Sequence, residues 1–355
     1  MTAPEDRAAA ADVQRRIDLI RELLARRGAN AAILRARRNF AWLTVGGQGH
    51  VVLSSESGVA PIVIDARTAR VLAPVNEADR LADEELAGLP LEIQPVPWEA
   101  PNDVVPHSED GTLDDAALEE ELSPIRARLG GLEQARMAWL GERVTAALDA
   151  VAAELSPGVT ELEASAAILN RLAGEGIRAP VVLAAADERI DRYRHPLPTA
   201  TPVHRRAMLV AVGERWGLHL ALTRMRELEP PPPELDRRRR AVAEVLAAML
   251  DATTAGATLG SVFAAAQRAY AQAGFPDEWR LHHQGGLLGY QPRERLATPA
   301  DPTGLVAGMA VAWNPSITGA KLEASHLLTD HAGSLRALTG PEPVSIESSS
   351  ERSPT

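Results

Sequence analysis

The chain has 355 residues, a formal charge of −11 at pH 7 and no cysteine. The acidic balance excludes a nucleic-acid partner, which would want clustered Lys and Arg. The missing thiols exclude disulfides, thiolate nucleophiles and Cys-ligated metals. No apolar run approaches a membrane span, and "MTAPEDRAAAADVQRR" lacks the apolar core of a signal peptide, so a cytoplasmic protein that meets no membrane is expected.

In chain order, residues 12–27 carry Val13, Ile17, Ile20 and Leu24 at helical spacing, with arginines on the other face. "AAILRAR", "NFAWLTV", "HVVLSS", "APIVIDA" and "ARVLAPV" read as strands, the last three separated by Gly and Ser turns. "NEADRLADEEL" reads as a helix and "LEIQPVPW" as a closing strand, so a small α/β domain with its linker occupies residues 1–120. The linker itself is the polar "PNDVVPHSEDGTLDD".

A second, α+β domain is expected over residues 121–340. It opens with one long helix or two joined at Gly130-Gly131. After a "SPG" turn, "TELE" has the form of a capping box before an amphipathic helix. "APVVLAAA", "RAMLVAVGERWGLHLALTRMREL", "EWRLHHQGG", "GMAVAWNPSI" and "AKLEASHLLTD" are strand-like, with helices near 235–252 and 259–273 between them. The basic run "DRRRR" starts the first of these helices and reads as a solvated face. Residues 341–355 read as a disordered tail.

The second domain carries, in order, "SPGVTELEA", "RYRHPLPT", "VAVGERWGLHLALTR", "HHQGGLLG", "GMAVAWNPSI" and "GAKLEASHLLTD". In that order these motifs resemble those of the creatinase/aminopeptidase P (M24, "pita-bread") superfamily. The first domain resembles that superfamily's creatinase-type amino-terminal domain. The resemblance implies an α/β domain followed by a pita-bread domain, and a homodimer.

The superfamily's metallopeptidases hold two metal ions with two Asp, one His and two Glu. The corresponding positions here are Val210 or Ala211, Ala221, Gly286, Asn314 and Glu323, so only Glu323 remains. One carboxylate cannot hold two ions, and no catalytic metal or other cofactor is expected. The resemblance then points to creatinase, the metal-free hydrolase of the group, in which a histidine before the hairpin and glutamates act as acid and base. His195 occupies that histidine's position.

Strand alternation supplies the rest of the candidate site. His219 and Thr223 flank Ala221 on one face, and Lys321, the chain's only lysine, shares a face with Glu323. Catalytic roles are expected for His195, Glu323 and Lys321, and substrate contacts for His219, Arg224, His282, His283, Tyr290 and Asn314. Adjacent His282 and His283 face opposite ways if the segment is a strand, so one of them at most enters the site. Arg224 is either a carboxylate clamp or a tie between the hairpin and its neighbour. The Lys321–Glu323 pair is either functional or a plain ion pair.

The expected activity is metal-independent acid–base hydrolysis, or a related elimination, at a C–N bond of a small polar amino-acid-derived or guanidino substrate. The alternative is a non-catalytic pseudopeptidase that binds a peptide or protein partner.

Overall fold

The computed structural model describes residues 3–99, 111–330 and 334–341. The described chain forms two units. One comprises Met1–Ala135 with Arg215–Leu218 and Gly289–Gln291; the other comprises Arg136–Glu214, His219–Leu288 and Pro292–Thr355. The expected tail, and most of the expected linker, lie outside the described residues.

In the first unit the apolar stripe makes α1 (Ala3–Arg27), which buries Val13, Ile17, Ile20, Leu23 and Leu24. After β1 (Ala31–Ala36), the stretch read as a second strand is instead α2 (Arg37–Leu43). Asn39 to Leu43 are all buried, and a continuous buried run has no period that separates helix from strand. Asn39 is anchored at both ends, donating to Asp115 at 2.7 Å and accepting from Arg126 at 2.7 Å. "HVVLSS" is also not a strand; its Val51, Val52 and Leu53 are 59%, 58% and 59% exposed.

β2 (Ser57–Asp65), β3 (Ala69–Pro74), a short helical stretch from α3 (Ala78–Arg80) into a wider turn at Leu81–Glu85, and β4 (Glu92–Val96) follow. The end of the supposed linker is β5 (Thr112–Asp114), parallel to β1. The five strands form one mixed sheet in the order β4-β3-β2-β1-β5. Asp114 caps α4 (Asp115–Arg126) by accepting from the Ala117 N–H at 2.9 Å. The chain breaks before α5 (Gly131–Glu154), so the glycine pair divides two helices.

In the second unit, α6 (Glu161–Gly174) begins with the expected capping box between Thr160 and Glu163. β6 (Arg178–Ala186), the turn α7 (Glu188–Arg192), and the long hairpin β7 (Arg206–Arg215) and β8 (Leu218–Glu227) make a three-stranded sheet. Helices α8 (Pro233–Ala252) and α9 (Leu259–Gln272) lead to β9 (Gly285–Leu288), β10 (Arg295–Leu296) and β11 (Ala310–Trp313). The tight hairpin of β12 (Ser316–Ile317) and β13 (Ala320–Lys321) precedes β14 (Ala324–Leu328) and β15 (Leu335–Ala337). The second sheet runs β10-β9-β11-β14-β15. Among the described residues no helix is long and apolar enough to cross a membrane.

Candidate active site

Two pieces of the second unit supply a buried charge cluster. β8 alternates, so His219, Ala221, Thr223, Met225 and Glu227 share one face. From it the Thr223 hydroxyl donates to Glu323 Oε2 at 2.9 Å. Lys321 Nζ lies 3.7 Å from the same oxygen, as the two-residue spacing of Lys321 and Glu323 predicts. On the other side Arg293 donates to Glu323 Oε1 at 2.7 Å. The register Trp313↔Ala324 continues to place Asn314 opposite Glu323, and its buried Oδ1 has no hydrogen-bond partner.

Burial alone would raise the Glu323 carboxyl, but Lys321, Arg293 and the Thr223 hydroxyl outweigh it and hold it below the usual range. Burial pushes the Lys321 ammonium below the ordinary lysine range, opposed by Glu323. Lys321 also lines a cavity of about 500 Å³ together with Met225, Glu227, Arg239 and Leu322; its lining does not include Glu323, Arg293, Asn314 or the three histidines. The volume is within the size range of small-molecule sites.

Beside this cluster stand three imidazoles. His195 Nε2 and His282 Nε2 are 3.1 Å apart. The His283 ring centroid lies 4.5 Å from that of His282 and 5.7 Å from that of His195. Both adjacent histidines therefore join His195, against the strand expectation. The segment read as a strand is a 3₁₀ turn at Glu278–Leu281, and β9 starts only at Gly285, so alternation does not apply at His282. Gln284 holds the turn: it donates to the His282 carbonyl at 2.6 Å and accepts from the Tyr270 hydroxyl at 2.8 Å. His282 Nδ1 lies 3.3 Å from Ser316 Oγ, and Ser316 pairs with Lys321 across β12–β13, which links the two clusters.

Burial first, then the Lys321 charge, pushes the His282 imidazole down to about 2. Burial and then Arg293 push His283 down to about 4. His195, itself exposed, is lowered by burial of its ring and by Lys321. The three nitrogens lie within 4.8 Å of one another and are the described His and carboxylate grouping able to hold a metal ion.

Other expected contacts go elsewhere. Arg224 points to the opposite face of β8 from Thr223, donating to Asp149 at 2.5 Å and to the Gly340 and Pro341 carbonyls at 2.9 and 3.1 Å. It ties the hairpin down and is no substrate clamp. Tyr290 belongs to the first unit, where its hydroxyl donates to buried Glu133 rather than lining the pocket. A phenol seeks a strong acceptor when buried. His219 is buried on β8 with the expected facing. The residue missed in the sequence is Arg293, in the same loop as Tyr290; a loop has no period to show which side chain turns inward.

A mixed α/β unit followed in sequence by an α+β unit with a long hairpin is the pita-bread arrangement, and the comparisons agree. The profile of metallopeptidase family M24 matches residues 135–335. The chain belongs to that family, whose class is hydrolysis of peptide C–N bonds. No curated protein matches the sequence. Among solved structures, a prolidase from Pyrococcus horikoshii OT3 is similar with a TM-score of 0.77 at 17% identity, covering 95% of this chain and 100% of that one. Dipeptidase PepE from Mycobacterium ulcerans gives 0.75 at 18%, covering 94% and 96%. An X-Pro aminopeptidase from Thermotoga maritima MSB8 gives 0.72 at 16%, covering 92% and 97%. At such identities the likeness concerns the fold.

The metals that the family name implies do not fit the residues present. Val210 is packed with Leu183, Ala185, Ile190 and Met208 in an apolar cluster, and Ala211 and Ala221 are buried without a donor atom. A Cβ on Gly286 would stand 2.0 Å from the Arg295 carbonyl oxygen, so the room for a histidine there is filled by backbone. The remaining carboxylate, Glu323, is already engaged by a guanidinium, an ammonium and a hydroxyl.

Proposed function

We propose that the protein hydrolyses a C–N bond in a small, carboxylate-bearing amino-acid-derived or guanidino compound, without the family's metals and in the manner of creatinase. One observation carries the reading. Two cations, buried Lys321 and part-buried Arg293, share a single carboxylate, Glu323, the one retained position that corresponds to a metal ligand of the family. An excess positive charge in a low-dielectric pocket favours an anionic ligand, and a guanidinium beside an ammonium suits a carboxylate.

His195 supplies the base. When His282 Nδ1–H donates to Ser316 Oγ, His282 Nε2 accepts from His195 Nε2–H, which frees His195 Nδ1. That nitrogen takes a proton from water as the water attacks the carbon. The C–N bond breaks, and the same nitrogen returns the proton to the leaving amine. Asn314 Oδ1, a buried acceptor with no partner, receives an N–H of the substrate.

The test uses a panel of N-substituted amino acids and guanidino acids with chelator present throughout. His195→Ala should lower turnover by roughly 100-fold or more with an unchanged melting temperature. Turnover that requires added metal overturns the reading. Peptide binding without turnover on any substrate would replace it with the non-catalytic pseudopeptidase.

A further inference from the structure

We propose that His195, His282 and His283 also form a binding site for one transition-metal ion, separate from the family's carboxylate positions, and that loading it blocks turnover. The blocking half rests on the acid–base reading above; the binding half stands without it.

The geometry comes first. The three candidate nitrogens lie within 4.8 Å of one another, and His195 Nε2 and His282 Nε2 are 3.1 Å apart. Two imidazoles on one tetrahedral ion at 2.0–2.1 Å bring their nitrogens to about 3.3 Å, so little movement is needed. A ligating histidine usually has its second ring nitrogen held by an outer partner. His282 has one in Ser316 Oγ, 3.3 Å from Nδ1, and its backbone is fixed by Gln284. His283 Nδ1 is buried with no hydrogen-bond partner. His195 is exposed, which gives an ion an entry path and leaves a coordination position open.

The surroundings select the ion. Beyond burial, Lys321 depresses all three imidazoles, and Arg293 depresses His195 and His283, where Glu323 offsets part of the effect. No carboxylate belongs to the cluster. Mg²⁺, Ca²⁺ and Mn²⁺, which want oxygen ligands, gain nothing here. Zn²⁺, Co²⁺, Ni²⁺ and Cu²⁺ bond strongly to imidazole; that bonding has to outweigh repulsion from Lys321 and Arg293, which lowers the affinity without removing the ligands. A bound ion occupies His195 Nε2, which puts the ring proton on Nδ1, so the base is lost.

The test titrates Zn²⁺ and Co²⁺ alone into the chelator-stripped full chain. Binding is read by competition with a chromophoric chelator and by the visible absorption of the Co²⁺ form. One ion per chain is expected, with Mg²⁺ failing to compete. His195→Ala and His283→Ala should each weaken binding by more than the roughly 10- to 100-fold that loss of an outer partner costs, while Ser316→Ala stays within that range. His204→Ala removes an exposed imidazole outside the cluster and should change nothing. If His283→Ala melts early, His283→Gln replaces it. Absence of stoichiometric binding, or binding that survives both histidine variants, overturns the site. If Zn²⁺ binds without slowing turnover at the same concentration, the blocking claim is wrong. If it accelerates turnover, the site stands and the metal-free reading of the enzyme falls.

Discussion

Each unit buries a glutamate beside a guanidinium, and the two are finished differently. In the first unit Glu133 accepts from Arg16 at 2.9 Å, from the Tyr290 hydroxyl and from the Gly130 N–H. Arg16 also donates to the Trp42 carbonyl. Arg16 and Glu133 are both 2% exposed. In the second unit Glu323 meets two cations, with three imidazoles and the unpartnered Asn314 Oδ1 nearby. A saturated network spends its polar groups on itself and holds the chain in place. An unsaturated one keeps groups available for a ligand, and that contrast separates Tyr290 from the Lys321–Glu323 neighbourhood on which the proposed function rests.

Removing Glu323 should break the contrast most severely. Glu323→Ala strands Lys321 and Arg293 without a counter-charge, and is expected to cost about 3–5 kcal/mol in denaturant titration and to abolish turnover. A loss below about 1 kcal/mol would show the cluster to be hydrated. Tyr290→Phe comes next, at about 1–3 kcal/mol. Turnover should be unaffected, and a drop in it would return Tyr290 to the pocket.

Lys321→Met should alter stability by less than about 1 kcal/mol, because Glu323 keeps Arg293 and Thr223. Its effect belongs in KM, which should rise for carboxylate substrates; a large stability loss would make the lysine structural. The smallest effect concerns Glu227, whose carboxyl is raised above its ordinary 4.5 by burial, with Arg239 and Arg206 offsetting part of the shift. A raised carboxyl contributes stability that is complete below pH 4.5 and lost as pH climbs through the raised value. Glu227→Gln should therefore melt higher than wild type at neutral pH, with the gap closing in acid. An equal gap at both pH values would refute the assignment.

How much of this was legible depended on whether a local period existed. Motif order identified the fold, and the two-residue spacing of Lys321 and Glu323 correctly put both on one charge cluster. The same rule failed at His282 and His283, because a 3₁₀ turn precedes them and Gln284 bends the path. It failed at Phe40 to Val45, where burial on every side erases the alternation. Arg293 was hidden because its loop has no repeat, whereas Arg224 sat in a true strand and turned away from the site. Partners distant in sequence, such as Asp149 for Arg224 or Glu133 for Tyr290, leave no local mark.

The carbonyl oxygen of Arg295, 2.0 Å from where a Gly286 side chain would begin, locks β10 and residue 286 together. No side chain can be placed at residue 286 by a change at that residue alone. The strand must be displaced first.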